Sequence, residues 1–154
     1  MSRKRLLILT LFFLYALFML WLLFGQRLFH MLNSPPSDTP YLETLAESLN
    51  LIPFRTVIAY LTDLTAHTAT ARHAFINLGG NLLLFIPLGI FLPLLSEKLR
   101  RLPQCMLTAA LLLLAVELIQ LLTTLGSFDV DDLILNLAGT LIGALIIKCL
   151  PHKS

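Results

Sequence analysis

The side chains that could do chemistry in this sequence are few, and most stand inside apolar runs. Glu117 sits among Leu111 to Leu114, Leu118, Leu121 and Leu122, with Gln120 three residues on and so on the same helical face. Asn77 and Asn81 are one helical turn apart. Asp132, Asn136, Gly139 and Gly143 are spaced by four, three and four, which makes one continuous face. Asp129, Asp131 and Asp132 cluster where that face begins. A carboxylate among leucines is in the right setting for general acid or base work, and the amides can hydrogen-bond a polar head group. The three aspartates could hold a divalent cation, but a solvated turn is the expectation, so no metal and no cofactor is expected. There is no Ser-His-Asp set and no His-Glu metal helix motif.

The elements that must position these residues follow from composition. Of 154 residues, 57% are hydrophobic and 13% charged, with a mean hydropathy of +0.84, against about 45–50% and about 25% in soluble domains. A soluble domain of this size buries only about two-thirds of its surface, which excludes an ordinary cytosolic enzyme. A net charge of +2 is too weak a field for a polyanion, so no nucleic-acid partner is expected. A span needs roughly 20 apolar residues, and four runs fit, at about 6–24, 78–95, 105–123 and 133–150. The expected fold is therefore all-α: a polytopic membrane helix bundle, one domain over residues 1–154, with membrane lipids as its surroundings and partners.

The first run is read as a retained anchor and not a signal peptide, because its apolar part is too long and no small-x-small cleavage site follows. Pro87 and Pro93 predict a kinked second span, and Gly79-Gly80 would permit an irregular start to it. Gly139 and Gly143 form a small-xxx-small pattern that lets a second helix come close. That helix belongs either to this chain or to a second copy, which leaves a homo-oligomer through Gly139 and Gly143 open.

Orientation follows from the positive-inside rule. With the N-terminus inside, Arg3, Lys4, Arg5, Lys98, Arg100, Arg101, Lys148 and Lys153 are cytoplasmic, eight of the eleven cations. Arg27, Arg55 and Arg72 lie outside, and both termini are cytoplasmic. This topology puts Glu117 about 9 Å and Asn81 about 5 Å below the outer surface at the helical rise per residue. Glu117, Gln120, Asn81, Asn136, Asp129 and Asp132 then share one level beneath the outer leaflet, as a candidate binding pocket in which Arg55 or Arg72 pairs Glu117. The outer segment over residues 26–77 carries two short amphipathic helices, the first capped by Thr39 with Pro40 as its first residue, and broken at Asn50 to Pro53. They lie on the membrane surface or cap the pocket.

Four blocks carry a resemblance: Asn50-Leu-Ile-Pro-Phe54, the run from Asn81 to Gly89, Glu117-Leu-Ile-Gln120, and Phe128-Asp-Val-Asp-Asp-Leu-Ile-Leu-Asn136 with Gly139 and Gly143. In this order they resemble the VanZ-like family of bacterial membrane proteins. Many relatives have an arginine just before the Phe-Asp element, where this chain reads Gly126-Ser127, and this draws attention to Arg55 and Arg72 as the cations serving the acidic cluster. The resemblance implies a small polytopic protein of the bacterial plasma membrane. The family's named member is associated with low-level resistance to teicoplanin, a lipid-tailed glycopeptide antibiotic.

These readings converge on an integral membrane protein that binds an amphiphile, either a lipid head group or a lipid-tailed glycopeptide, in an outer-leaflet polar pocket, as an accessory to antibiotic resistance. The alternative is an intramembrane enzyme acting on a lipid-linked cell-envelope substrate, with Glu117 as acid or base. A transporter would have to oligomerise, since four spans are few to enclose a pathway and no inverted repeat is apparent.

Overall fold

The computed structural model describes residues 2–33, 39–65 and 71–150. Ser2 starts helix α1 (Arg3–Leu20), its side chain accepting from the Arg5 backbone N–H at 3.3 Å. One π-helical turn (Trp21–Gly25) leads directly into α2 (Gln26–Asn33). The first span therefore runs on past residue 24, because nothing between Trp21 and Asn33 breaks the helical ladder; the π turn absorbs an extra residue without ending it. Among the described residues, four helices are long and apolar enough to cross a membrane: Arg3–Asn33, Ile76–Leu95, Leu102–Leu122 and Val130–Cys149. Leu6, Phe13, Leu14 and Trp21 of the first are exposed, which costs nothing against acyl chains. The fold is an all-α membrane helix bundle.

The chain divides into two compact units, Met1–Asn50 with Ala115–Asp129, and Leu51–Leu114 with Val130–Ser154. The first holds α1, α2, α3 (Tyr41–Glu47), a two-residue strand β1 (Leu49–Asn50), the last turns of α6 (Leu102–Leu122) and a second short strand β2 (Phe128–Asp129). Pro40, and not Thr39, occupies the N-cap of α3, with extended backbone angles and a carbonyl that accepts from Glu43 and Thr44. The Thr39 hydroxyl lies 3.2 Å from that of Thr44 instead. The break expected at Asn50 is also a pairing site. Leu49 and Asn50 align in parallel with Phe128 and Asp129, and the Phe128 N–H donates to the Ser48 carbonyl at 2.8 Å. Tyr41 Oη donates to the Leu122 carbonyl at 2.8 Å and so ties α3 to the end of α6.

The second unit holds α4 (Arg55–Thr65), α5 (Ala71–Leu95), a 3₁₀ turn (Glu97–Arg100), the first turns of α6 and α7 (Val130–Cys149). The irregular start that Gly79-Gly80 would permit is not taken. The helix begins at Ala71 and passes through both glycines and through Pro87 and Pro93. Packing against α7 outweighs the weak intrinsic helicity of those residues. A Cβ added to Gly139 would collide with the carbonyl of Leu82, one on Gly143 with that of Ile86, and one on Gly89 with that of Thr140. The matched numbers rise together, so α5 and α7 run parallel with their backbones in close approach. Of the two partners that the glycine pattern left open, α5 of the same chain is the one seated on it. Phe85, Leu88 and Leu92 on α5 and Thr140 and Ala144 on α7 are buried. Thr140, fully buried, donates its hydroxyl to the Asn136 carbonyl at 2.8 Å and leaves no unsatisfied donor in the seam.

The glycines separate cleanly by role. Gly139→Val or Gly143→Val forces the two backbones apart and is expected to cost about 1–3 kcal/mol, a fall of roughly 3–10 °C in melting temperature in detergent. Gly79→Ala, with open space around the new methyl group, should leave the melting temperature unchanged or raise it, because alanine is the better helix former.

Candidate functional site

In the first unit the polar residues gather on the end of α6. Cys105, Ala109, Leu113, Glu117 and Leu121 recur every four residues and are all buried, while Leu107, Leu111, Leu118 and Leu122 are exposed. Glu117 thus lies on the inward stripe of its helix, 5% exposed, where lipid does not have to solvate it. Its Oε2 accepts from the Asp129 backbone N–H at 3.3 Å, and Asp129 Oδ1 accepts from Asn50 Nδ2 at 3.1 Å. Gln120, also buried, donates to the Leu23 carbonyl at 3.0 Å. Glu117 thus meets Asp129 and Asp129 meets Asn50, which spacing alone marks only as a helix breaker, while Gln120, one turn on from Glu117, is engaged by α1's continuation at Leu23.

The cation at the loop before Phe128 is Arg27. Its Nη1 donates to the Leu125 carbonyl at 3.2 Å, and its guanidinium lies so close to Gly126 that a Cβ there would strike it. Attention had gone to Arg55 and Arg72 for this role. Arg55 is exposed and opens α4 in the second unit. The side chain of Arg72 lies outside the described residues.

In the second unit the centre is Asp131. The acidic cluster is no solvated turn, since Asp131 is fully buried and Asp129 nearly so. Asp131 Oδ1 accepts from the Phe54 N–H at 2.5 Å, and Oδ2 accepts from the N–H groups of Thr56 at 2.7 Å and Val57 at 3.0 Å. The Arg55 N–H turns back to the Ile52 carbonyl. Phe54 takes a left-handed backbone angle, φ 66°, which folds the chain around the carboxylate. Sequence reasoning counted Asp131 only as one of three acids. The signal was the Pro53-Phe54 helix start, whose unpaired N–H groups need an acceptor. Among the described residues no group of three His, Cys, Asp or Glu side chains is arranged to hold a metal.

Beside this anchor, Asn81 Nδ2 donates to Asp132 Oδ1 at 2.5 Å, which joins α5 to α7. Asn77 turns elsewhere, to Tyr60 Oη at 2.9 Å. Asn136 lies one turn along α7 from Asp132 and is 5% exposed. Its Oδ1 has no hydrogen-bond partner among the described residues. The α5–α7 face can therefore accept one further hydrogen bond at a buried position next to an amide–carboxylate pair.

Asp131→Ala strips three amides of their acceptor and is expected to cost about 3 kcal/mol or more, with faster hydrogen exchange at Phe54, Thr56 and Val57. Asp132→Asn keeps an acceptor for Asn81 and should cost no more than about 1 kcal/mol. Thermal melting in detergent with exchange mass spectrometry separates the two.

No curated protein and no solved structure gives a match to the chain. The profile of one family, VanZ/LLP1, matches residues 12–151, a stretch that includes the Asn50–Asp129 pair, the Asp131 anchor and the α5–α7 seam. The chain belongs to the VanZ/LLP1 family.

Proposed function

We propose that this membrane protein binds the polar head of an amphiphile, either a lipid head group or the head of a lipid-tailed glycopeptide, on the α5–α7 face at Asn136. The observation that carries this reading is the buried, unpartnered Oδ1 of Asn136. An acceptor left unsatisfied in an apolar setting costs about 1–3 kcal/mol, and a ligand N–H or O–H would recover it. The Asn81–Asp132 pair stands one turn along α7 from it and makes this level of the helix polar. In this reading the chain sits in the bacterial plasma membrane with both termini cytoplasmic, and the bound amphiphile lies toward the outer leaflet. An accessory part in resistance to a lipid-tailed antibiotic would follow from holding that antibiotic.

A second reading rests on Glu117, which is buried on the inward stripe of α6 and accepts from the Asp129 backbone N–H. A carboxylate so placed suits an acid or base acting on a lipid-linked cell-envelope substrate.

The readings part on one comparison. Molecules that co-purify with wild type, Asn136→Leu and Glu117→Gln are identified by mass spectrometry. The binding reading expects Asn136→Leu to melt at or above the wild-type temperature, relieved of its orphan acceptor, while its bound amphiphile falls about tenfold, the loss of one good hydrogen bond. An unchanged complement in that variant refutes the reading. Accumulation of a lipid-linked molecule in Glu117→Gln supports the enzyme. For orientation, Cys149 is exposed and Cys105 buried. A membrane-impermeant maleimide should label Cys149 in inside-out vesicles and not in intact cells.

A further inference from the structure

At the opposite end of α5 and α7 from Asn136, the second unit contains a cavity of about 290 Å³. Its lining includes the buried Pro93 and Cys105, the apolar Leu99 and Ile147, and the cations Arg100 and Lys148. Both cations are exposed, one on the 3₁₀ turn after α5 and one in the last turn of α7. The surrounding sequence adds Lys98 and Arg101 against Glu97, so among the described residues this end carries four cations to one anion. An apolar recess with charge of one sign at its edge is complementary to an anion with an apolar tail.

We infer that this cavity binds an anionic phospholipid of the bilayer, its acyl chain along Pro93, Leu99, Cys105 and Ile147 and its phosphate between Arg100 and Lys148. The chain gains little by leaving one apolar medium for another, so selection must come from the head group, and basic pockets between transmembrane helices are suited to phosphate heads. Arg100 adds planar, multi-donor geometry and Lys148 a flexible point charge. The site is independent of Asn136, which stands at the other end of the same two helices.

The test uses the full chain in nanodiscs with photoactivatable acyl analogues of phosphatidylglycerol and phosphatidylcholine, and maps the labelled peptides. The expected result is phosphatidylglycerol labelling at residues 93–105 and 144–150, weak labelling by phosphatidylcholine, and no competition by millimolar inorganic phosphate. Lys148→Gln should reduce labelling about fivefold, and Arg100→Gln with Lys148→Gln about twentyfold or more, from roughly a factor of five per surface charge. Equal labelling by the two lipids overturns the proposal. So does a double variant that melts as wild type and labels as wild type. Displacement by inorganic phosphate would assign the site to a free anion and overturn it as well.

Discussion

The second unit depends on one buried carboxylate. Asp131 is wholly removed from solvent, and an isolated charge in such a place would be prohibitive. The first N–H groups of a helix are equally expensive to bury, because no carbonyl within the helix can reach them. Asp131 sets these two costs against each other. Phe54, Thr56 and Val57 give it their amides, Arg55 gives its own to Ile52, and Ile58 begins the regular ladder by donating to the Phe54 carbonyl. Every donor at the start of α4 is thereby accounted for. The helix dipole adds to the attraction, and the left-handed angle at Phe54, unfavourable by about 1–2 kcal/mol for a side chain of this kind, is what lets its amide join the other two.

With α4 fixed to α7, the remaining order comes from the seam between α5 and α7. Apolar area cannot hold helices together in lipid, since the tails are as apolar as leucine. Contact has to come from close packing, and here three glycines bring backbone to backbone. Parallel register then follows from matching Leu82 to Gly139 and Ile86 to Gly143, and the same register brings Asn81 to Asp132. The polar pair is therefore a consequence of the glycine spacing more than a cause of the packing. Pro87 and Pro93 are tolerated for a related reason: a helix held along its length by such a seam does not need every internal hydrogen bond.

Much of this was legible in the residues. Four apolar runs gave four spans, Glu117 and Gln120 fell on one buried face, and the four-three-four spacing from Asp132 to Gly143 gave the α7 seam. What could not be read were the long-range backbone contacts. A two-residue parallel pairing of Leu49-Asn50 with Phe128-Asp129 has no periodicity to detect. The choice among three neighbouring aspartates depended on which one faced a helix start some seventy-five residues earlier. Nothing in its spacing singles out Arg27, which stands just past the first apolar run. Continuation of the helix through the π turn is what carries it to the Leu125 carbonyl. The sequence blocks Asn50 to Phe54 and Phe128 to Asp132 have a physical reason to keep their residues, since each supplies partners to the other twice, Asn50 to Asp129 and Phe54 to Asp131.

In the second unit, Asn136 Oδ1 stands outside this economy of paired groups among the described residues. Its neighbours on the buried face are Gly139, Thr140, Gly143 and Ala144, residues chosen for small size, and the one hydroxyl among them is satisfied within its own helix. Packing asks for nothing larger or more polar at position 136; alanine or threonine would fill the same seam without an orphan acceptor. An asparagine side chain there adds a cost that neither the glycine contact nor the Asp131 anchor requires. Its amide stands one turn from a carboxylate already engaged by Asn81, and its Oδ1 keeps the capacity to accept one further donor. In a lipid-facing bundle such donors come mainly from head groups, which is the chemistry that the proposed amphiphile would bring to this residue.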